Sequence, residues 1–281
     1  MRYYSIALII ISISLAGCTS IPGQDDTSEE PQRSFEFTPK DGLTVSFSSL
    51  KSRYQNGEQM ILEAEIENTG QATAENIEAQ LFGASFISGN EYVGTLQGVD
   101  RAAEQPGERA LPEWTPTADA SLVSGGERSF DAGVEVSYKY STTVAAPFTI
   151  VPREDFNGGN SEVSADNSAS PVHASVDMTT PKPVIGDGGV EISVPVTIQN
   201  IGEGEVDSVN IDASLPNSDA SVSRCGGDVP LYDDRREVIC HVSLPSDLVV
   251  PETTLNLKME LGYTYTETTA TTFKVEELPG G

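Results

Sequence analysis

Histidine is almost missing from this 281-residue chain, which has two, His173 and His241, and cysteine is scarce at three. Two imidazoles so far apart in sequence all but exclude a histidine-based triad or a three-histidine metal site. No GxSxG, HExxH, P-loop or complete GxGxxG motif occurs. Acidic side chains are so numerous that no pair stands out as a general acid and base. The expectation is a protein that is not an enzyme and carries no cofactor. Positive charge is also short: sixteen Lys and Arg, only six of them lysine, face forty-three Asp and Glu, for a net charge of −27. A phosphate-binding face needs clustered Lys and Arg, so nucleic acid is not an expected partner. Beyond the first residues no stretch repeats apolar side chains at i, i+3, i+4 and i+7, which argues against helices. No Asn-x-Ser or Asn-x-Thr triplet is present, so standard N-glycosylation is not expected.

What is present is acid and β-formers. A hydrophobic fraction of 37% suffices for a core, so most of the chain is expected to fold despite its charge. Self-repulsion at this net charge opposes compaction unless salt screens it. Such a lysine-poor acidic composition resembles that of proteins from salt-accumulating or salt-exposed archaea. An acidic ectodomain from elsewhere would read the same way.

The N-terminus carries an address. Arg2 precedes thirteen uncharged residues, Tyr3 to Leu15, which lead into Leu15-Ala16-Gly17-Cys18. A basic start, a short apolar core and a small-residue cleavage site make an export signal. The run is shorter than the roughly 18 residues a spanning helix needs, which disfavours an uncleaved anchor. The quartet resembles the lipobox of prokaryotic lipoproteins. That resemblance implies cleavage before Cys18 and attachment of the mature protein, through a lipid on Cys18, to the outer face of the cell membrane. The remaining cysteines, Cys225 and Cys240, are then a candidate disulfide in an oxidising compartment, with free thiols or a metal site as the competing assignments.

Two stretches read as connectors. Residues 19–34 are polar, acidic and broken by Pro22, Gly23 and Pro31, and are expected to be a disordered tether. Residues 153–171 have the same character and are expected to link domains at 35–152 and 172–278. Within that linker Asp155, Asn157, Glu162 and Asp166 place oxygen ligands in a spacing loosely like a calcium loop. Asn160 stands where such a loop needs glycine, and diffuse cation condensation competes with a defined site.

The two candidate domains repeat one another. At a shift of 132 positions Met60, Leu62, Ala64 and Ile66 fall on Ile192, Val194, Val196 and Ile198, and Asn68-Thr69-Gly70 falls on Asn200-Ile201-Gly202. A second alternating strand follows each turn, at Glu75–Ala79 and Asp207–Ile211. Near the ends the match returns at a shift of 125, Tyr138-Lys139-Tyr140 on Tyr263-Thr264-Tyr265 and Phe148-Thr149-Ile150 on Phe273-Lys274-Val275. Period-2 alternation in Val, Ile, Thr and Tyr predicts an all-β protein of two tandem antiparallel β-sandwiches. Leu62, Ile66, Ile77, Val134, Val136, Phe148 and Ile150 are expected to face the first core. Val194, Ile198, Val209, Met259, Leu261, Phe273 and Val275 are expected to face the second. The paired tyrosines read as strand and rim packing, with a ligand platform as the sharper alternative. Trp114, in an insertion spanning residues 83–129, reads as a core or lid residue or as a partner-binding aromatic.

Taken with its turn and second strand, each repeat resembles the CARDB-type and archaeal S-layer-associated immunoglobulin-like domains. The resemblance covers about thirty residues in each copy and implies a seven-stranded sandwich used as a stalk, spacer or adhesion module. The expected role is therefore a lipid-anchored structural or adhesion module of the cell envelope, touching an envelope protein or surface glycan. A lipid-anchored binding or accessory subunit of a membrane complex is the alternative. No apolar helix is visible near the C-terminus, so the lipid is the expected attachment.

Overall fold

The computed structural model describes residues 42–119, 126–184, 190–245 and 252–277. The signal and lipobox, with Leu15, Ala16, Gly17 and Cys18, and the tether at 19–34 lie outside the described residues.

Strands carry almost all the regular structure. The first copy contains β1 (Leu43–Ser49), β2 (Arg53–Gln55), β3 (Leu62–Asn68), β4 (Ala74–Gly83), β5 (Gly89–Leu96), β6 (Arg109–Ala110), β7 (Glu113–Trp114) and the 26-residue β8 (Glu127–Pro152). After a 3-10 turn at Arg153–Asp155 come β9 (Ser161–Glu162), β10 (Asp166–Asn167), β11 (Val172–Val176), β12 (Thr179–Thr180) and β13 (Lys182–Val184). The chain continues through β14 (Val190–Asn200), β15 (Ser208–Ser214), β16 (Ser221–Ser223), β17 (Gly227–Pro230), β18 (Arg235–Leu244) and the 24-residue β19 (Thr253–Glu276).

The all-β antiparallel sandwich expected from the alternation is what forms. One large sheet runs β17-β15-β19-β8-β4-β5, with β10 and β13 joining β8 and β2 joining β19. Two smaller sheets face it: β1-β3 with β6 and β7 from the first copy, and β11-β14-β18-β16 from the second. The repeated segments occupy equivalent places, since β3 and β14 each pair with the strand that opens their copy and β4 and β15 each enter the large sheet. Where the second copy has the unbroken β18 along β14, the first has β6 and β7, parted by Leu111 and Pro112, along β3. Pro112 has no N–H to donate, so pairing is interrupted there. Its carbonyl still accepts the Ala64 N–H at 3.0 Å.

Every side chain expected in the core is buried. Their allocation between copies differs from the sequence reading. β8 and β19 pair antiparallel over all of β19 and all but the last two residues of β8, from Glu127 opposite Glu276 to Ile150 opposite Thr253. The halves of each long strand have neighbours in different copies. The first half of β8 pairs with β4 of its own copy, and the second half with β10 and β13. The first half of β19 pairs with β15 of its own copy, and its end with β2 of the other. Phe273 accordingly packs edge-on to Tyr54 at 6.0 Å and stacks with Phe130 at 6.3 Å. It belongs to the first core, not the second. The described residues form one compact unit with one continuous hydrophobic core, rather than two separate beads.

Residues 153–171 also differ from a bare linker. β9 pairs with β12, β10 pairs with β8, and Val163 and Ser170 are buried. Polarity misled here because the segment needs only a few inward residues to dock against a sheet edge.

Candidate functional site

The chemistry-bearing groups gather where β8 and β19 cross. Alternation along two adjacent strands turns Tyr138, Tyr140, Tyr263 and Tyr265 to the same inner face, and cross-strand register sets Tyr138 opposite Tyr265 and Tyr140 opposite Tyr263. Ring centroids lie 5.8 to 6.4 Å apart around the four contacts, and no ring is more than 6% exposed. These distances suit edge and tilted aromatic packing. The rings therefore form a central cluster in the core, not a rim and not a platform open to a ligand.

Each hydroxyl is satisfied. Tyr140 donates to Asn68 Oδ1 at 3.3 Å, and Tyr265 donates to Asn200 Oδ1 at 3.5 Å. The two asparagines open the repeated Asn-x-Gly turns. Asn68 Oδ1 also accepts Gly70 N–H, while its Nδ2 donates to the carbonyls of Ala72 and Leu96, both at 2.9 Å. Asn200 repeats the pattern with Gly202 N–H and the Gly204 carbonyl. Each asparagine thus closes its own turn and receives a tyrosine from the central strands. The second glycine is required sterically in the second copy: a Cβ on Gly202 would stand 2.1 Å from Tyr265 Oη.

The other two tyrosines differ by one substitution. Tyr263 Oη lies 3.1 Å from Thr142 Oγ1, which is 2.8 Å from Ser170 Oγ and 2.7 Å from the Val172 carbonyl. Tyr138 Oη accepts Leu43 N–H at 3.2 Å and donates to Glu267 Oε1 at 3.1 Å. Glu267 lies 125 positions after Thr142, so a carboxylate replaces the hydroxyl of the other copy. Burial pushes Glu267 up to about 7, opposed by the Tyr138 hydrogen bond and assisted by the nearby Glu203 charge. Burial likewise raises Tyr265 to about 12 and holds Tyr138 and Tyr263 far above the ordinary phenol value. Neutral hydroxyls of this kind hold a structure and offer no nucleophile or base near neutral pH.

The remaining candidates are dispersed. Cys225 and Cys240 form a disulfide, with Cα atoms 4.5 Å apart and both residues buried, tying the segment before β17 to the inner face of β18. Asp155 ends the 3-10 turn, Asn157 is exposed in the following loop, Glu162 is opposite Thr179 and Asp166 is opposite Ala145. The four are not gathered, and among the described residues no three His, Cys, Asp or Glu side chains are placed to share a metal ion. Trp114 is buried, packs edge-on to Phe47 at 6.3 Å and lies against Gly89, as a core residue would. His173 is opposite Gln199 and His241 opposite Ser193, six positions apart on β14, or about 20 Å. The described residues also line two open grooves. One of about 450 Å³ on the outer face includes Lys139, Asn210, Asp228, Gly262 and Thr264. The other, of about 620 Å³, includes Glu162, Asp177, Lys182, Pro195 and Arg235. The tyrosine and asparagine repeats were both visible in the sequence; that they meet was not, because the two matches lie at different shifts.

No family model matches the chain, and no curated protein matches it. Among solved structures it is similar to the collagen adhesin (CNA) of S. aureus, at 8% identity over 85% of this chain and 93% of that one, with a TM-score of 0.16. A likeness at that level carries no argument about family or function.

Proposed function

We propose that the protein is a lipid-anchored module of the cell envelope, exported through its N-terminal signal and held to the outer face of the membrane by a lipid on Cys18. The observation that carries the reading is the Cys225–Cys240 disulfide. It suits an oxidising compartment, and it uses two of the three cysteines, leaving Cys18 as the one thiol for the lipid. The folded part then serves as a non-enzymatic spacer or adhesion element whose partner is an envelope protein or surface glycan. The same proposal extends to the CARDB-type and archaeal S-layer-associated immunoglobulin-like resemblance and to a salt-rich setting, supported by the repeated turns and the lysine-poor acidity.

Mass spectrometry of the mature N-terminus and membrane partition of a Cys18→Ser variant test the anchor. The expected result is a lipid-modified peptide beginning at Cys18 and release of the variant into the medium. A mature peptide that still contains Met1, or an unmodified Cys18, would overturn the proposal. Crosslinking on intact cells separates the two envelope roles: capture of a transporter or other membrane complex favours an accessory subunit, and capture of surface-layer material favours adhesion.

A further inference from the structure

We infer that β8 and β19 are each two strands of one sandwich run together, with their second halves traded between the copies about a two-fold axis, so that neither copy can close its own core. The axis can be located. Lys139 is opposite Thr264 in the β8–β19 ladder, and the two lie 125 positions apart, the shift that relates the copies in this region. Repeat and pairing share that one point, as two-fold symmetry requires.

The trade is visible on every flank. The end of β19 pairs in parallel with β2, where Lys274 is opposite Arg53, and the end of β8 pairs in parallel with β13, where Ile150 is opposite Lys182. Arg53 reaches Glu276 at 2.8 Å and Glu127 at 3.1 Å, and Lys274 pairs with Glu127, so ionic contacts fasten the incoming strand at the far end of the first copy. Inside, Phe273 fills the space between Tyr54 and Phe130.

The sequence at the crossing makes the exchange obligatory. The repeat places Phe148 and Ile150 in the role of Phe273 and Val275, so each half-strand would suit its own core by shape. If β8 folded back in the same register, Tyr140 would take the place of Tyr265 opposite Tyr138. Lys139 alone would then form the loop. The tightest hairpins need two loop residues, usually containing Gly, Asn or Asp. The equivalent stretches Tyr138–Thr142 and Tyr263–Glu267 hold none of these and are rich in β-formers, and Gly262, opposite Ser141, falls outside the one-residue loop that Thr264 would have to make. The strand therefore runs straight through into the other copy. Both sandwiches become one rigid body, whether or not Cys18 carries a lipid.

Cleavage of the intact protein tests this. A protease site placed in the exposed loop at residues 157–160, which lies between the copies, allows the folded chain to be nicked after purification. The nicked halves are expected to co-elute at the position of the uncut protein and to unfold in one transition with it. A second variant inserts Asn-Gly after Lys139 and after Thr264, giving each strand a three-residue turn. That variant is expected to separate into two halves after the same nick. Separation of the nicked wild-type protein into two folded halves would overturn the inference. If the insertion variant fails to fold, co-elution or separation of the nicked wild type still decides.

Discussion

Replacing Glu267 by threonine exchanges the carboxyl that is hydrogen-bonded to the tyrosine cluster for the residue that the other copy uses at the equivalent place. Thr142 shows that a threonine hydroxyl can reach the tyrosine there, at 3.1 Å, so the substitution keeps a partner for Tyr138. What it removes is a partly buried carboxyl. The folded protein holds the Glu267 proton up to a pKa of about 7, against 4.5 for the ordinary group, because burial penalises the charged form. The folded state therefore binds this proton more tightly than the unfolded state. Stability from this residue is fully present below pH 4.5 and is lost as pH rises through 7. A shift of this size corresponds to about 3 kcal/mol as an upper bound, since each pKa unit is worth about 1.4 kcal/mol. Urea denaturation of both proteins at pH 5, 6, 7 and 8 is the assay, and their difference isolates the residue from the other acids. The variant is expected to match the wild type near pH 5 and to exceed it by up to about 3 kcal/mol at pH 8. A difference that stays constant from pH 5 to 8 would refute the reasoning.

The turns and the surface give further expectations. Gly202→Ala places a methyl group 2.1 Å from Tyr265 Oη and is expected to cost about 1–3 kcal/mol, read as a lower urea midpoint. Asn68→Ala leaves the Leu96 carbonyl and the Tyr140 hydroxyl without this partner, for a loss of about 2–4 kcal/mol; a double-mutant cycle with Tyr140→Phe should show coupling of about 1 kcal/mol. Reduction of Cys225–Cys240 is expected to remove about 3 kcal/mol, measured as a drop in melting temperature with reductant. Because the net charge is −27, melting temperature should rise between about 0.01 M and 1 M salt as repulsion is screened. A flat or falling response would contradict that reading of the composition.

Much of this architecture is legible in the residues. Period-2 alternation finds the strands and their inward faces, because side-chain direction in a strand is set locally. Repetition of Asn68-Thr-Gly70 as Asn200-Ile-Gly202 finds the equivalent turns, and cysteine arithmetic finds the disulfide. The partner of each strand is another matter. Phe148 and Phe273 are correctly read as core residues, but nothing in their local pattern says which core, because the two copies present similar slots. The clue lies at Tyr138–Thr142, where a turn signal is missing, and a missing turn is easy to pass over when both flanks look like strands. The tyrosine cluster escaped for a related reason: it needs residues from both copies at once. For Trp114, in the insertion at residues 83–129, the sequence left a core or lid residue and a partner-binding aromatic both open, and its burial against Phe47 selects the core.

Whether the long strands run unbroken through the crossing is answered most directly by hydrogen exchange of the amides at residues 138–142 and 263–267. An uninterrupted β8–β19 ladder predicts protection there equal to that of the strand segments on either side, since these residues sit in the middle of the sheet. Fast exchange confined to those two stretches would mark them as hairpin turns. It would contradict the shared sheet and restore two self-contained sandwiches.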